Sequence, residues 1–246
     1  SEEVLQQAGL IARKDNGRIY DRFHNRLIFP IADAIGRPVA FGGRTLGDDS
    51  AKYLNSPETS IFSKSRILYG LDRARHEISK SRRVIVVEGY MDAALLQQFG
   101  FTDAVATLGT ALTDAHVSLL RPLADTLYLC FDSDDAGQRA ADRAVEVALQ
   151  ARTDVRVVVL DHDKDPADCV MAGGAAAFQH YLDTARDALE YKWRHTLAAF
   201  DSAGDRGRRA AIEELLQFVA RTSVAGNVDA IQQNLLTGRL SELLGV

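Results

Sequence analysis

Four apolar runs, separated by stretches of helical pattern, constrain this 246-residue chain more than any other feature. Val84-Ile85-Val86-Val87 is a continuous β-branched run, the pattern of a strand buried on both faces. Residues 104–107, Leu127-Tyr128-Leu129-Cys130-Phe131 and Val155-Arg156-Val157-Val158-Val159-Leu160 read as three further strands. Helices are predicted between them at about 91–99, 113–121 and 136–150, the first stopped by Gly100. Strands alternating with helices imply an α/β fold with a parallel sheet and crossover helices.

Ligands of open parallel sheets bind beyond the carboxyl ends of the strands. Three of the four strands here end in acid. The first runs into Glu88-Gly89, with Asp92 a few residues on. The third runs into Asp132-Ser133-Asp134-Asp135, and the fourth into Asp161-His162-Asp163-Lys164-Asp165-Pro166-Ala167-Asp168. The second ends in Thr107-Leu108-Gly109-Thr110, a small polar turn open to a ligand's approach. Crowded carboxylates raise one another's pKa unless a cation intervenes. An oxygen-only donor set favours Mg²⁺ or Mn²⁺ over zinc, and two such ions suit in-line displacement at phosphorus. The competing explanation for any single acid is helix capping: Asp134 or Asp135 at the helix from 136, and Asp92 in the first turn of its own.

The first third of the chain is different in kind. Leu27-Ile28-Phe29-Pro30-Ile31 and Val39-Ala40-Phe41-Gly42-Gly43, joined by a turn at Ile35-Gly36-Arg37-Pro38, predict an antiparallel hairpin with Pro30 at an edge. Residues 47–66 read as irregular, and a helix is expected over 71–79. Residues 174–246 read as three helices with breaks near Ser202-Ala203-Gly204 and Ala225-Gly226-Asn227. The expected units are a basic N-terminal subdomain (1–80), a catalytic sheet (81–170) and a helical subdomain (171–246), α+β overall. Charge follows this division. Residues 1–83 carry 15 Lys/Arg against 10 Asp/Glu, and residues 84–246 carry 14 against 24. A basic segment attracts phosphates and an acidic one holds cations, although solvated faces also vary in charge by chance.

Cys130 and Cys169 are far apart and outside any C-x-x-C pattern, which argues against a disulfide framework or a cysteine zinc site in this chain and suits a reducing cytosol. No apolar run approaches the roughly 18 residues that span a bilayer, and no signal peptide is visible. The start at Ser1 suggests a fragment or processed chain.

Val87-Glu88-Gly89-Tyr90-Met91-Asp92 followed by Phe131-Asp132-Ser133-Asp134-Asp135-Ala136-Gly137 resembles the Glu and Asp-x-Asp motifs of the toprim fold. That fold is shared by primases, topoisomerases and some nucleases. The longer strings resemble bacterial DnaG-type primases in particular: Asp21-Arg22-Phe23-His24-Asn25-Arg26-Leu27-Ile28-Phe29-Pro30-Ile31, Phe41-Gly42-Gly43-Arg44, Lys52-Tyr53-Leu54-Asn55-Ser56-Pro57-Glu58-Thr59, Phe62-Ser63-Lys64 and Leu68-Tyr69-Gly70-Leu71. The resemblance covers about residues 10–170 well and the helical tail loosely.

Carried over position by position, the resemblance implies catalytic roles for Glu88, Asp132 and Asp134. It implies metal ligands among Glu88, Asp92, Asp132, Asp134, Asp163, Asp165 and Asp168. The fourth-strand loop departs from the family's shorter D-G-x-D-P-D, so the pairing of Asp163, Asp165 and Asp168 with its acids stays open by a position or two. Arg26, Arg44, Lys52, Asn55 and Lys64 match the family's residues near template DNA and incoming nucleotide; each alone would be read as a solvated surface charge or polar group. The implied activity is metal-dependent nucleotidyl transfer with two or more Mg²⁺ or Mn²⁺ ions, building short RNA primers from ribonucleoside triphosphates on single-stranded DNA. The implied setting is the cytoplasmic replication fork of a bacterium, without a membrane. The family's zinc-ribbon domain and the C-terminal domain that meets the replicative helicase are expected outside this chain. A polyphosphate pocket would also admit an alarmone inhibitor. The alternatives are another toprim enzyme, nuclease or topoisomerase-like, and an inactive fragment that binds nucleotide or metal.

Overall fold

The structure, a computed structural model, describes residues 1–47, 51–131, 135–150, 153–160, 165–200 and 204–225, together with 238, 241 and 242. Of the expected site residues, Asp132, Asp134 and Asp163 lie outside these described residues, as does most of the third expected tail helix.

In chain order the elements are α1 (Glu2–Gln7), β1 (Ile11–Arg13), β2 (Ile19–Asp21), β3 (Arg26–Ala32), β4 (Pro38–Thr45), β5 (Tyr53–Asn55), α2 (Leu71–Ser81), β6 (Arg83–Val87), α3 (Tyr90–Gln98), β7 (Ala104–Ala106), α4 (Asp114–Leu120), β8 (Thr126–Cys130), α5 (Asp135–Gln150), β9 (Asp154–Val158), α6 (Pro166–Asp183), β10 (Arg186–Asp187), α7 (Ala188–Phe200) and α8 (Gly204–Ala225). Strands β9, β8, β6 and β7 lie side by side and parallel, as the alternating pattern predicts. Side chains alternate across the sheet with a period of two. Val84 and Val86 of β6, Leu127 and Leu129 of β8, and Val155 and Val157 of β9 enter one core with α2, α4, α5, α7 and α8. Ile85 and Val87, Cys130, and Val158 enter the other core with α3 and α6. Both faces are covered by helices, which explains why the central strand β6 reads as the unbroken apolar run Val84–Val87.

The hairpin forms as expected. β3 and β4 pair antiparallel from Arg26↔Thr45 to Ala32↔Pro38, and Pro30 lies on the edge strand β3, where its missing N–H breaks no ladder. Ile31 and Ala40 of this small sheet are buried in the α3/α6-side core, so the hairpin is fastened to the larger sheet.

Three features depart from the sequence reading. The stretch 47–66 contains β5, paired to β4 through Gly42↔Asn55, Gly43↔Leu54 and Arg44↔Tyr53; three residues are too short for a periodic signal. Asp165 caps α6 through a 2.6 Å bond accepted from the Asp168 N–H, with Pro166 next. The helix therefore begins at residue 166, and the expected division at 170/171 falls inside it. Finally, Arg186–Asp187 pairs antiparallel with β9 and splits the first expected tail helix. The helix pattern favoured one long element there because a two-residue strand leaves the apolar spacing almost undisturbed. Among the described residues no helix is long and apolar enough to cross a membrane.

Candidate active site at the strand ends

Strands β6, β8 and β9 are adjacent and run the same way, so their carboxyl ends share one edge. Neighbouring strands lie about 4.8 Å apart. Glu88 follows β6 directly and is half-buried. Phe131 follows β8 and leads to Asp132, and β9 leads through Leu160 to Asp165 and Asp168 at the start of α6. Asp92, in the first turn of α3, is buried. A Cβ built on Gly89 would meet Asp92 Oδ2 at 2.8 Å. The Asp92 carboxylate thus lies against bare backbone beside Glu88, a cradle that a side chain at position 89 would fill. Among the described residues no three His, Cys, Asp or Glu side chains cluster at metal-holding distance. The acids that follow these strand ends in the chain are oxygen donors alone, a donor set whose chemistry suits Mg²⁺ or Mn²⁺.

The basic hairpin faces this edge through an aromatic joint. Tyr90, the first residue of α3, is buried against Phe29 at 4.6 Å, Tyr53 at 5.6 Å and Tyr69 at 5.8 Å between ring centroids. Burial pushes its hydroxyl up to about 12. Gly42 of β4 is packed so closely that a Cβ there would lie 2.8 Å from the Tyr90 ring. Tyr53 is the pivot between the charges. Arg44 Cζ and Lys52 Nζ sit 6.0 Å and 5.7 Å from its ring centroid. Its hydroxyl is raised above the ordinary tyrosine value, first by burial; Arg44 opposes the rise, while Asp92 and Asp165 add to it. A cation on the hairpin and carboxylates on α3 and at the start of α6 therefore act on one phenol.

Arg44 and Lys52 are brought together over the Tyr53 ring. Arg26 donates to the carbonyls of Ala51 (2.9 Å) and Gly43 (3.5 Å), and so also braces the β4–β5 connection. Asn55 directs Nδ2 at the Leu108 carbonyl, 3.1 Å away. Lys64 is tied to α4 instead: its N–H donates to Glu58 Oε1 at 2.9 Å, and its carbonyl meets His116 Nε2 at 2.8 Å. Sequence reasoning gave no role to Tyr90, Tyr53 or His116. The first two stand inside the quoted strings, but their function as a joint depends on contacts between distant segments. Cys130 and Cys169 are buried free thiols.

A family profile described as the N-terminal domain of the DNA primase catalytic core matches residues 1–75, and a Toprim-like profile matches 85–170. A DNA primase from Deinococcus radiodurans is 42% identical over 100% of this chain and 43% of its own length. The chain thus spans about two fifths of that curated relative. A crystal structure of a DNA primase domain from Pseudomonas aeruginosa superposes with a TM-score of 0.86 at 39% identity, covering 100% of this chain and 76% of that one. A DnaG primase catalytic domain bound to ssDNA gives a TM-score of 0.86 at 36% identity, again over 100% and 76%.

Proposed function

This chain belongs to the DnaG-type DNA primase family, and from that premise we propose that it is a primase catalytic core, which polymerises ribonucleoside triphosphates into short RNA primers on single-stranded DNA. The observation that supports this reading is the shared edge of β6, β8 and β9, which Glu88 enters directly after β6 and to which the Arg44–Tyr53–Lys52 group is joined through the Tyr53–Tyr90 contact.

The reaction is nucleotidyl transfer. A primer 3′-hydroxyl, or that of the first nucleotide, attacks the α-phosphate of the incoming triphosphate, and pyrophosphate leaves. Glu88, Asp92, Asp132 and Asp134, with Asp163, Asp165 or Asp168, would hold two or more Mg²⁺ or Mn²⁺ ions. When bound, such ions lower the pKa of the attacking oxygen and offset charge on the leaving group. Glu88 acts as general base or orients the attacking hydroxyl. Arg44, Lys52 and Lys64 supply countercharge to the outer phosphates and the template backbone, Arg as a planar fork and Lys as a point charge. Arg26 and Asn55 are further contacts to template or nucleotide in this reading. Such a template contact is salt-sensitive and reads little sequence.

The same pocket chemistry admits guanosine tetraphosphate-type alarmones as inhibitors. The setting is the bacterial cytoplasm at the replication fork, with the helicase met through the family's C-terminal domain. Incubation with single-stranded DNA, Mg²⁺ and ribonucleotides tests the reading. Short RNA products support it, and cleaved DNA in their place points to a nuclease.

A further inference from the structure

The start of α4 grips the segment that carries Lys64. Thr113 is the N-cap of this helix: its Oγ1 accepts the His116 N–H at 3.2 Å and donates to the Ser65 carbonyl at 2.7 Å. His116 occupies the third helical position, where a capping box ordinarily carries Glu or Gln. Its Nδ1 accepts the Thr113 N–H at 3.3 Å, so that nitrogen presents a lone pair and the proton resides on Nε2. Nε2 in turn donates to the Lys64 carbonyl at 2.8 Å. The ring is fully buried, and burial holds its pKa below the ordinary histidine value, which keeps it neutral.

Two successive carbonyls, those of Lys64 and Ser65, are thus held by one helix cap from a separate layer of the fold. On the other side the Lys64 N–H is held by Glu58. A capping box needs only an acceptor at this position, which a Glu carboxylate would supply equally well. A histidine adds a second, opposed nitrogen that can donate away from the helix, and here it meets the peptide of Lys64. Lysine carries its charge on a flexible stem, so the backbone beneath fixes where the ammonium can reach.

We propose that His116 and Thr113 are positioning residues that fix Lys64 for contact with phosphate. The role rests on the reading of Lys64 as a nucleotide or template contact. Neither residue touches substrate; both act through the segment 58–67.

The experiment uses this chain with two readouts: amide hydrogen exchange over residues 58–67, and binding of ATP with Mn²⁺. His116→Leu removes acceptor and donor, whereas His116→Gln keeps both. Thr113→Val and Thr113→Ser form a milder pair that removes or keeps the hydroxyl. His116→Leu and Thr113→Val are expected to speed exchange in 58–67 about tenfold and to weaken ATP binding severalfold. His116→Gln and Thr113→Ser should restore most of both. The double variant His116→Leu/Lys64→Ala should bind no more weakly than Lys64→Ala alone, because the clamp acts only through that lysine. Unchanged exchange in His116→Leu and Thr113→Val, with Lys64→Ala impaired, overturns the clamp and spares the reading of Lys64. Multiplying losses in the double variant overturn the positioning role. Unimpaired ATP binding in Lys64→Ala overturns the reading of Lys64 itself, and this role with it.

Discussion

Asn55 Nδ2 donates to the Leu108 carbonyl at 3.1 Å, joining β5 of the basic sheet to the turn that follows β7. Leu108 is a buried L-residue at φ 65, a left-handed conformation that such residues rarely adopt. The next residue, Gly109, donates to the Glu88 carbonyl at 3.3 Å. The small sheet therefore reaches the Glu88 backbone through β5 and one strained turn.

Asn55→Ala should destabilise the fold by about 1 kcal/mol, the ordinary net worth of one hydrogen bond. Exchange at the Gly109 amide should rise with it. Chemical denaturation and hydrogen exchange check both, and an unchanged midpoint would show that the turn holds its shape unaided.

Arg83 and Asp103 make an ion pair at 2.7 Å in which the carboxylate is 3% exposed and the guanidinium 31%. Arg83→Met leaves Asp103 buried without its partner and should cost about 3 kcal/mol. Adding Asp103→Asn should recover part of that loss. Arg83 opens β6, at the opposite end of the strand from Glu88, so Mn²⁺ affinity should stay constant throughout. A matching fall in Mn²⁺ affinity would show that the two ends of the strand are coupled.

His116 links stability to pH. Its pKa in the fold lies below the ordinary value, chiefly through burial, while the backbone bonds to Lys64 and Ile67 pull the other way. The unfolded chain then binds the proton more readily, so stability is full above about pH 6.5 and is lost as pH falls below it. The hydrogen-bond partners of the ring are Thr113 and the backbone of Lys64 and Ile67, none of which titrates there. His116→Gln should flatten the dependence of the denaturation midpoint between about pH 5 and 7. An equal slope in both proteins would place its origin elsewhere.

Much of this was legible in the sequence because two rules act locally. Continuous apolar runs such as Val84–Val87 mark strands covered on both faces, and their order fixes which ends carry acids. Pro30 marked its edge because a missing N–H leaves few alternatives. The failures are non-local. β5 and β10 exist because β4 and β9 offer open edges, and nothing within three or two residues announces that. Asp165 stood on the page as a metal candidate, yet one of its oxygens is already bonded to the first turn of α6. Tyr53 meets Tyr90 across 37 residues and His116 meets Lys64 across 52, distances that spacing rules do not cross.

Gly89→Ala tests the acidic edge without removing an acid. The added Cβ would sit 2.8 Å from Asp92 Oδ2, so the carboxylate must move. Stability should change by about 1 kcal/mol, whereas Mn²⁺ affinity should fall severalfold. Unchanged Mn²⁺ binding would remove Asp92 from the ligand set.

Primer synthesis is the most direct test of the central claim. This chain is incubated with single-stranded DNA, Mg²⁺ and radiolabelled ribonucleotides, alongside Glu88→Gln and the double variant Asp132→Asn/Asp134→Asn. The expected result is weak but metal-dependent formation of short RNA by the unaltered chain, and its loss in both variants with the fold intact. Absence of RNA from the unaltered chain, cutting of the DNA, or RNA made equally well by the variants would contradict it.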